Sequence, residues 1–95
     1  MSNICERDIE GHLVRRVEAI GGEIRKVKWI ERAGAPDRLV MYKGATFVEL
    51  KRPGKDLEPH QFREHTRMRK HGLKTLTLNS FEGVDKFIGE LLARP

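Results

Sequence analysis

Two short runs folded about Lys43-Gly44 constrain this chain more than any other feature. Arg38 to Tyr42 and Ala45 to Lys51 are rich in β-branched and aromatic residues, and the Lys-Gly pair between them reads as a hairpin turn. Successive side chains of a strand point to opposite faces. Val48 and Leu50 therefore share a face that can bury against a helix, while Glu49 and Lys51 share the other. Asp37 lies six residues before the turn centre near Lys43, and Glu49 lies six after it. A hairpin closed there brings the two backbones roughly opposite one another.

The rest of the chain supplies partners for that hairpin. The spacing of Ile9, Leu13, Val17 and Ile20 predicts a helix from Ser2 or Asn3 to Ala19, capped by Ser2 or Asn3 and stopped by Gly21-Gly22. Glu6 and Glu10 fall on the same stripe, one turn apart. At the start of a helix they would also reach solvent and suit the helix dipole. Glu23 to Ile30 reads as a strand with Val27 and Trp29 on one face and Lys26 and Lys28 on the other. Glu31 to Pro36 and Arg52 to Asp56 are loops. Pro59 opens a second helix that ends at His71 before Gly72. Lys74 to Asn79 alternates Leu76 and Leu78 with Thr75 and Thr77, a half-buried strand. Ser80 caps a last helix with apolar positions Phe81, Val84, Phe87, Ile88 and Leu91. The expected order is α-β-β-β-α-β-α. This is an α/β fold whose mixed sheet is flanked by helices, with the last strand added in parallel through a crossover helix. Residues 1–95 are expected to form one domain.

Composition narrows the partners. The 19 Lys and Arg against 14 Asp and Glu give a net charge of +5, which favours polyanions, nucleic acid first among them. The longest apolar run, Leu39 to Tyr42, is far short of the roughly 20 residues a membrane span needs. The N-terminal residues show no signal-peptide pattern, so the expected compartment is the cytoplasm. One cysteine makes neither an internal disulfide nor a cysteine zinc site. Seven of the Lys and Arg fall between Lys51 and His71. Arg63, Arg67 and Lys70 lie at helical spacing, Arg52 and Lys55 follow Lys51 directly, and Lys26, Lys28 and Arg38 add further positive charge. These eight are the expected DNA contacts, positioning the backbone without reading sequence. His60, His65 and His71 do not share one helix face, so they read as polar surface histidines, with His65 on the Gln61 face. Cys5 reads as a small half-buried thiol, and Trp29 as core or interface.

The chemistry concentrates where Asp37, Glu49 and Lys51 converge. Two carboxylates held close together are costly unless a proton or a cation joins them. Oxygen donors that fill only part of a coordination shell suit Mg²⁺ or Mn²⁺, which keep waters and accept phosphate oxygens. A neighbouring lysine is a compact point charge for a phosphate or an attacking water. Glu6 or Glu10 could add a further carboxylate.

Gly34-Ala35-Pro36-Asp37-Arg38, then Phe47-Val48-Glu49-Leu50-Lys51, then Gln61 early in the next helix, resembles the PD-(D/E)XK nuclease superfamily. Within it the chain is most similar to the VRR-NUC (virus-type replication-repair nuclease) domain, from Glu6 to about Leu92. The opening Glu6-Arg7-Asp8-Ile9-Glu10 and Gly21-Gly22 are similar to that family as well. The resemblance implies a Mg²⁺- or Mn²⁺-dependent DNA endonuclease, with Asp37, Glu49 and the Leu50 backbone carbonyl as metal ligands. It implies Lys51 as the catalytic lysine, Gln61 as a supporting residue, and Glu6, with Glu10 as rival, as the first-helix glutamate. It further implies a structure-specific enzyme of Holliday-junction-resolvase type, acting on branched DNA as a homodimer. The alternative is a non-catalytic nucleic-acid-binding module on the same fold, which would keep the basic surface and need no paired carboxylates.

Overall fold

The computed structural model describes residues 3–95. Seven elements follow in the expected order: α1 (Glu6–Ala19), β1 (Glu23–Lys26), β2 (Arg38–Met41), β3 (Ala45–Leu50), α2 (Pro59–Lys70), β4 (Thr75–Leu78) and α3 (Phe81–Leu92). The four strands form one sheet in the order β1-β2-β3-β4. The first three are antiparallel, and β4 lies parallel to β3. Helix α2 makes the crossover that parallel addition requires.

The core fills one face of the sheet. Val40, Val48, Leu50 and Leu78 from the strands meet Ile9, Leu13 and Val17 of α1 and Val84, Phe87, Ile88 and Leu91 of α3. Burying a side chain of this size stabilises the fold by roughly 1.5–3 kcal/mol relative to leaving it exposed. Helix α2 takes no part in that cluster. It covers the opposite face, where Glu49 and Phe47 point.

Three local findings differ from the sequence reading, each for a physical reason. Helix α1 begins at Glu6 rather than at Ser2 or Asn3, and Ser2 lies outside the described residues. The Asp8 carboxylate accepts the Cys5 backbone N–H at 2.9 Å and the Cys5 thiol at 3.3 Å. A carboxylate reaching back from the first turn satisfies a donor at the helix end. Cys5 is therefore the N-cap and is exposed, not half-buried. Strand β1 stops at Lys26, four residues short of Ile30. The Val27 amide still bonds the Asp37 carbonyl at 2.9 Å. Beyond that point the partner chain is Pro36, which has no N–H to continue the ladder. Lys28 thus lies past the strand, and Trp29 turns toward α2. Finally, His65 is fully buried, whereas His60 and His71 are exposed.

The hairpin follows the expected register. Arg38 pairs with Val48, Leu39 with Phe47, Val40 with Thr46, and Met41 with Ala45. Lys43 and Gly44 both have positive φ, 48° and 124°. That backbone suits a tight hairpin, and glycine adopts it without a Cβ penalty. Ser80 caps α3 by accepting the Gly83 N–H at 2.9 Å.

Candidate active site at the end of the hairpin

The register brings the site together. One step beyond the Arg38–Val48 pair, Asp37 comes opposite Glu49. Asp37 Oδ2 accepts the Leu50 backbone N–H at 2.9 Å, which locks this carboxylate against β3. Glu49 is 2% exposed, although it sits in the middle of a polar constellation. Its Oε2 accepts Gln61 Nε2 at 3.0 Å and lies 3.5 Å from Lys51 Nζ. Gln61 is itself fixed, because its Oε1 accepts the Glu58 N–H at 2.9 Å. Helix α2 therefore enters the site through one amide that bridges its own N-terminus to a strand carboxylate.

The electrostatics are unbalanced. Burial pushes the Glu49 carboxyl up to about 7, the Asp37 charge beside it adds to the rise, and Lys51 offsets only part. Glu49 Oε1 is buried and no donor faces it, while the Asp37 carboxyl lies near enough to share a proton with Glu49. Such a group costs free energy until a proton or a cation satisfies it. Among the described residues, no three His, Cys, Asp or Glu side chains gather closely enough to hold an ion by themselves. Two carboxylates and a backbone oxygen suit an ion that keeps much of its water, as Mg²⁺ and Mn²⁺ do. The donor set and the orphaned oxygen fit such an ion.

The two first-helix carboxylates have different surroundings. Glu10 forms an ion pair with Arg38, whose second amine donates to the Asp37 carbonyl at 3.0 Å. Glu6 lines an open cavity of about 210 Å³ with Lys51, Arg52, Lys55, Asp56 and Glu58. Arg52 and Lys55 thus join Lys51 as the sequence suggests. Asn79 Nδ2 holds the loop there by donating to the Lys55 carbonyl at 3.1 Å. The basic residues beyond this cavity differ in how far they are exposed and paired. Arg38 has an 11% exposed side chain turned between Glu10 and Asp37, so little of it faces solvent. Arg67 is half-exposed and held by Glu64 at 2.9 Å. Lys26, Lys28, Arg63 and Lys70 are exposed.

The sequence reading passed over Glu64. It is buried on α2, and its Oε2 accepts the Trp29 indole N–H at 2.6 Å while Oε1 takes two bonds from Arg67. Burial raises its carboxyl, but Arg67, Trp29 and Arg32 outweigh that and hold it below the ordinary value. Trp29 also packs edge-on against Phe47. The loop that delivers Asp37 is therefore tied to the helix that delivers Gln61. Gly34 makes the approach possible: with φ 95°, a Cβ there would lie 2.8 Å from the His60 carbonyl and 2.9 Å from Glu64 Cβ. The helical spacing from Gln61 to Glu64, about one turn, is the sequence signal from which Glu64 could have been found. Burial holds the His65 imidazole below its ordinary value. Neither ring nitrogen has a partner at good geometry, although the Gly34 backbone lies near enough to favour the charged form.

No family model matches the chain. A curated protein named "Putative nuclease p44", from Acyrthosiphon pisum secondary endosymbiont phage 1, is 43% identical over 82 residues, covering 84% of this chain and 88% of its own. A solved structure described as a VRR_NUC domain superposes with a TM-score of 0.81 at 41% identity, covering 88% of this chain and 94% of that one. The element order and the mixed sheet agree with that likeness, and the chain belongs to the VRR-NUC family of nuclease domains.

Proposed function

We propose that this nuclease is a Mg²⁺- or Mn²⁺-dependent DNA endonuclease of one domain, residues 1–95, with Asp37, Glu49 and Lys51 as its catalytic groups. One observation carries the reading. Two carboxylates are forced together at the end of a hairpin, and one buried oxygen of Glu49 is left without a partner. Asp37, Glu49 and the Leu50 carbonyl would hold the divalent ion, with Glu6 as the further carboxylate, since Glu10 is already paired with Arg38. When bound, the ion supplies charge neutralisation at the scissile phosphate and lowers the pKa of water. Lys51 meets the negative charge that develops on the phosphate oxygens and helps to orient the attacking water. Gln61 keeps the Glu49 carboxylate turned toward the site through its bond to Oε2. Arg52 and Lys55 hold the flanking phosphates.

The substrate in this reading is branched DNA, cut by a homodimer in the cytoplasm of a bacterial or phage-infected cell. The relative named above is a phage protein, and no helix among the described residues is long and apolar enough to cross a membrane. The test is cleavage of labelled four-way-junction, flap and linear DNA with Mg²⁺ or Mn²⁺, comparing wild type with Asp37→Ala. Asp37→Ala should lose at least about a thousandfold in rate, because it removes an electrostatic group acting in the transition state. Equal rates for the two proteins would overturn the assignment. A preference for linear over branched substrates would overturn the junction reading alone.

A further inference from the structure

Helix α1 carries two arginines that the nuclease reading leaves unused. Arg7 and Arg15 are exposed, and among the described residues neither guanidinium has a hydrogen-bond or ion-pair partner. They flank Gly11, which has no side chain to fill the space between them. Together with Asp8 and Phe81 these residues line a groove of about 350 Å³. The Arg15 guanidinium folds back over Gly11, where a Cβ would meet its Nη1 at 3.1 Å. Asp8 is the one carboxylate in the lining, and its Oδ2 is already engaged by Cys5. The groove therefore holds two guanidinium groups without a hydrogen-bond or ion-pair partner among the described residues, against one carboxylate, Asp8, which caps the helix and feels the Arg7 charge.

Its position matters as much as its charge. Arg7 follows Glu6, which lines the cavity of Lys51, Arg52 and Lys55. Phe81 follows β4 by three residues, and the Leu78 carbonyl of β4 accepts the Lys51 N–H at 3.0 Å. Asn79, between them, holds the Lys55 carbonyl. The linings of the groove and of the active-site cavity thus include neighbouring residues, Glu6 and Arg7, at the start of α1.

We propose that the groove over Gly11 is a second DNA-backbone site, in which Arg7 and Arg15 hold phosphates of the strand as it leaves the active-site cavity. This rests on the reading that the strand is cut at Asp37, Glu49 and Lys51. Guanidinium groups suit phosphate oxygens because their planar fork donates two parallel hydrogen bonds. The site positions DNA and carries no sequence information.

The test measures binding of a fluorescent DNA junction in EDTA, across a salt series, for wild type, Arg7→Gln with Arg15→Gln, Gly11→Glu, and Asp37→Ala. The double variant should bind roughly tenfold or more weakly, and its slope of log affinity against log salt should shrink by about 0.9 per lost phosphate contact, or about 1.8 for both. Gly11→Glu keeps both arginines but places a carboxylate between them, and should weaken binding similarly while α1 remains folded by circular dichroism. Cleavage at saturating DNA in Mn²⁺ should change by less than about twofold for the double variant, since a lost uniform contact raises KM and spares kcat. Wild-type affinity and slope in both variants would overturn the groove assignment, and a cleavage-dead Asp37→Ala would then leave the catalytic reading standing. Full cleavage by Asp37→Ala together with weakened binding by the groove variants would sink the catalytic reading and with it the groove's place on the cut strand, leaving a phosphate contact on α1 alone. Absence of DNA binding by the wild type would overturn both.

Discussion

At the scale of single residues, Glu49 is the centre of tension. A carboxyl whose folded pKa is raised from 4.5 to about 7 binds its proton more tightly in the native state than in the unfolded chain. Its contribution to stability is therefore present at low pH and is lost as pH rises through that window. The metal-free protein should melt at progressively lower temperature between about pH 5 and about pH 8, as followed by circular dichroism. Glu49→Gln should flatten that dependence and raise the melting temperature near neutrality, because its carbonyl still accepts from Gln61 and no charge is buried. The same variant should be inactive. A wild-type protein whose stability is level across this range would show that the burial of Glu49 carries no electrostatic cost. The gain in stability on loss of function is what a site held in readiness for a cation predicts.

At the scale of elements, the two halves of the site arrive from different directions and are held together by contacts remote from the chemistry. The hairpin delivers Glu49 and Lys51, and the long loop after β1 delivers Asp37. Helix α2 delivers Gln61, and its Glu64 anchors the loop through Trp29 and Arg32. Gly34 is where the loop presses on α2. Substitution by alanine there combines an unfavourable positive φ with a clash against the His60 carbonyl, which is backbone and cannot easily move. Gly34→Ala should destabilise the protein by at least about 2 kcal/mol, measured by urea denaturation. It should also lower the cleavage rate, because relief of the clash displaces the segment carrying Asp37. Full stability in that variant would show that the loop can reseat freely.

At the scale of the whole molecule, the chain is small. Its radius of gyration is 13.0 Å and its extents are 39 × 33 × 19 Å. It has one sheet and one candidate catalytic centre, whereas resolving a four-way junction takes two symmetric cuts. A twofold dimer would supply the second centre. Mixing wild type with an excess of Asp37→Ala should then form dimers with one live site, and singly nicked junctions should accumulate at the expense of paired-cut products. An unchanged ratio of nicked to resolved junction on a native gel would show that each copy works alone. The proposed groove on α1 belongs to this scale as well, because it would extend the contact with DNA beyond the reach of one cavity.

Much of this was legible in the residue order. The element sequence, the hairpin turn, the apolar stripes and the opposition of Asp37 to Glu49 all follow from local periodicities of two and 3.6 residues, and local periodicity survives in any tertiary context. What escaped were consequences of which surfaces meet. His65 reads as a polar surface residue until the Gly34 loop closes over it. Trp29 reads as the end of a strand until Pro36 interrupts the ladder and Glu64 captures the indole. Arg38 reads as a DNA contact until Glu10 takes it, and that pairing leaves Glu6 facing the cavity of Lys51. Sequence alone determined the carboxylate pair and the elements that carry it, because register depends on turn chemistry and alternation. Only the tertiary structure decided which charges remain free for a ligand, because an ion pair depends on partners distant in the chain, and their approach is set by the packing of α1 and α2 on opposite faces of the sheet.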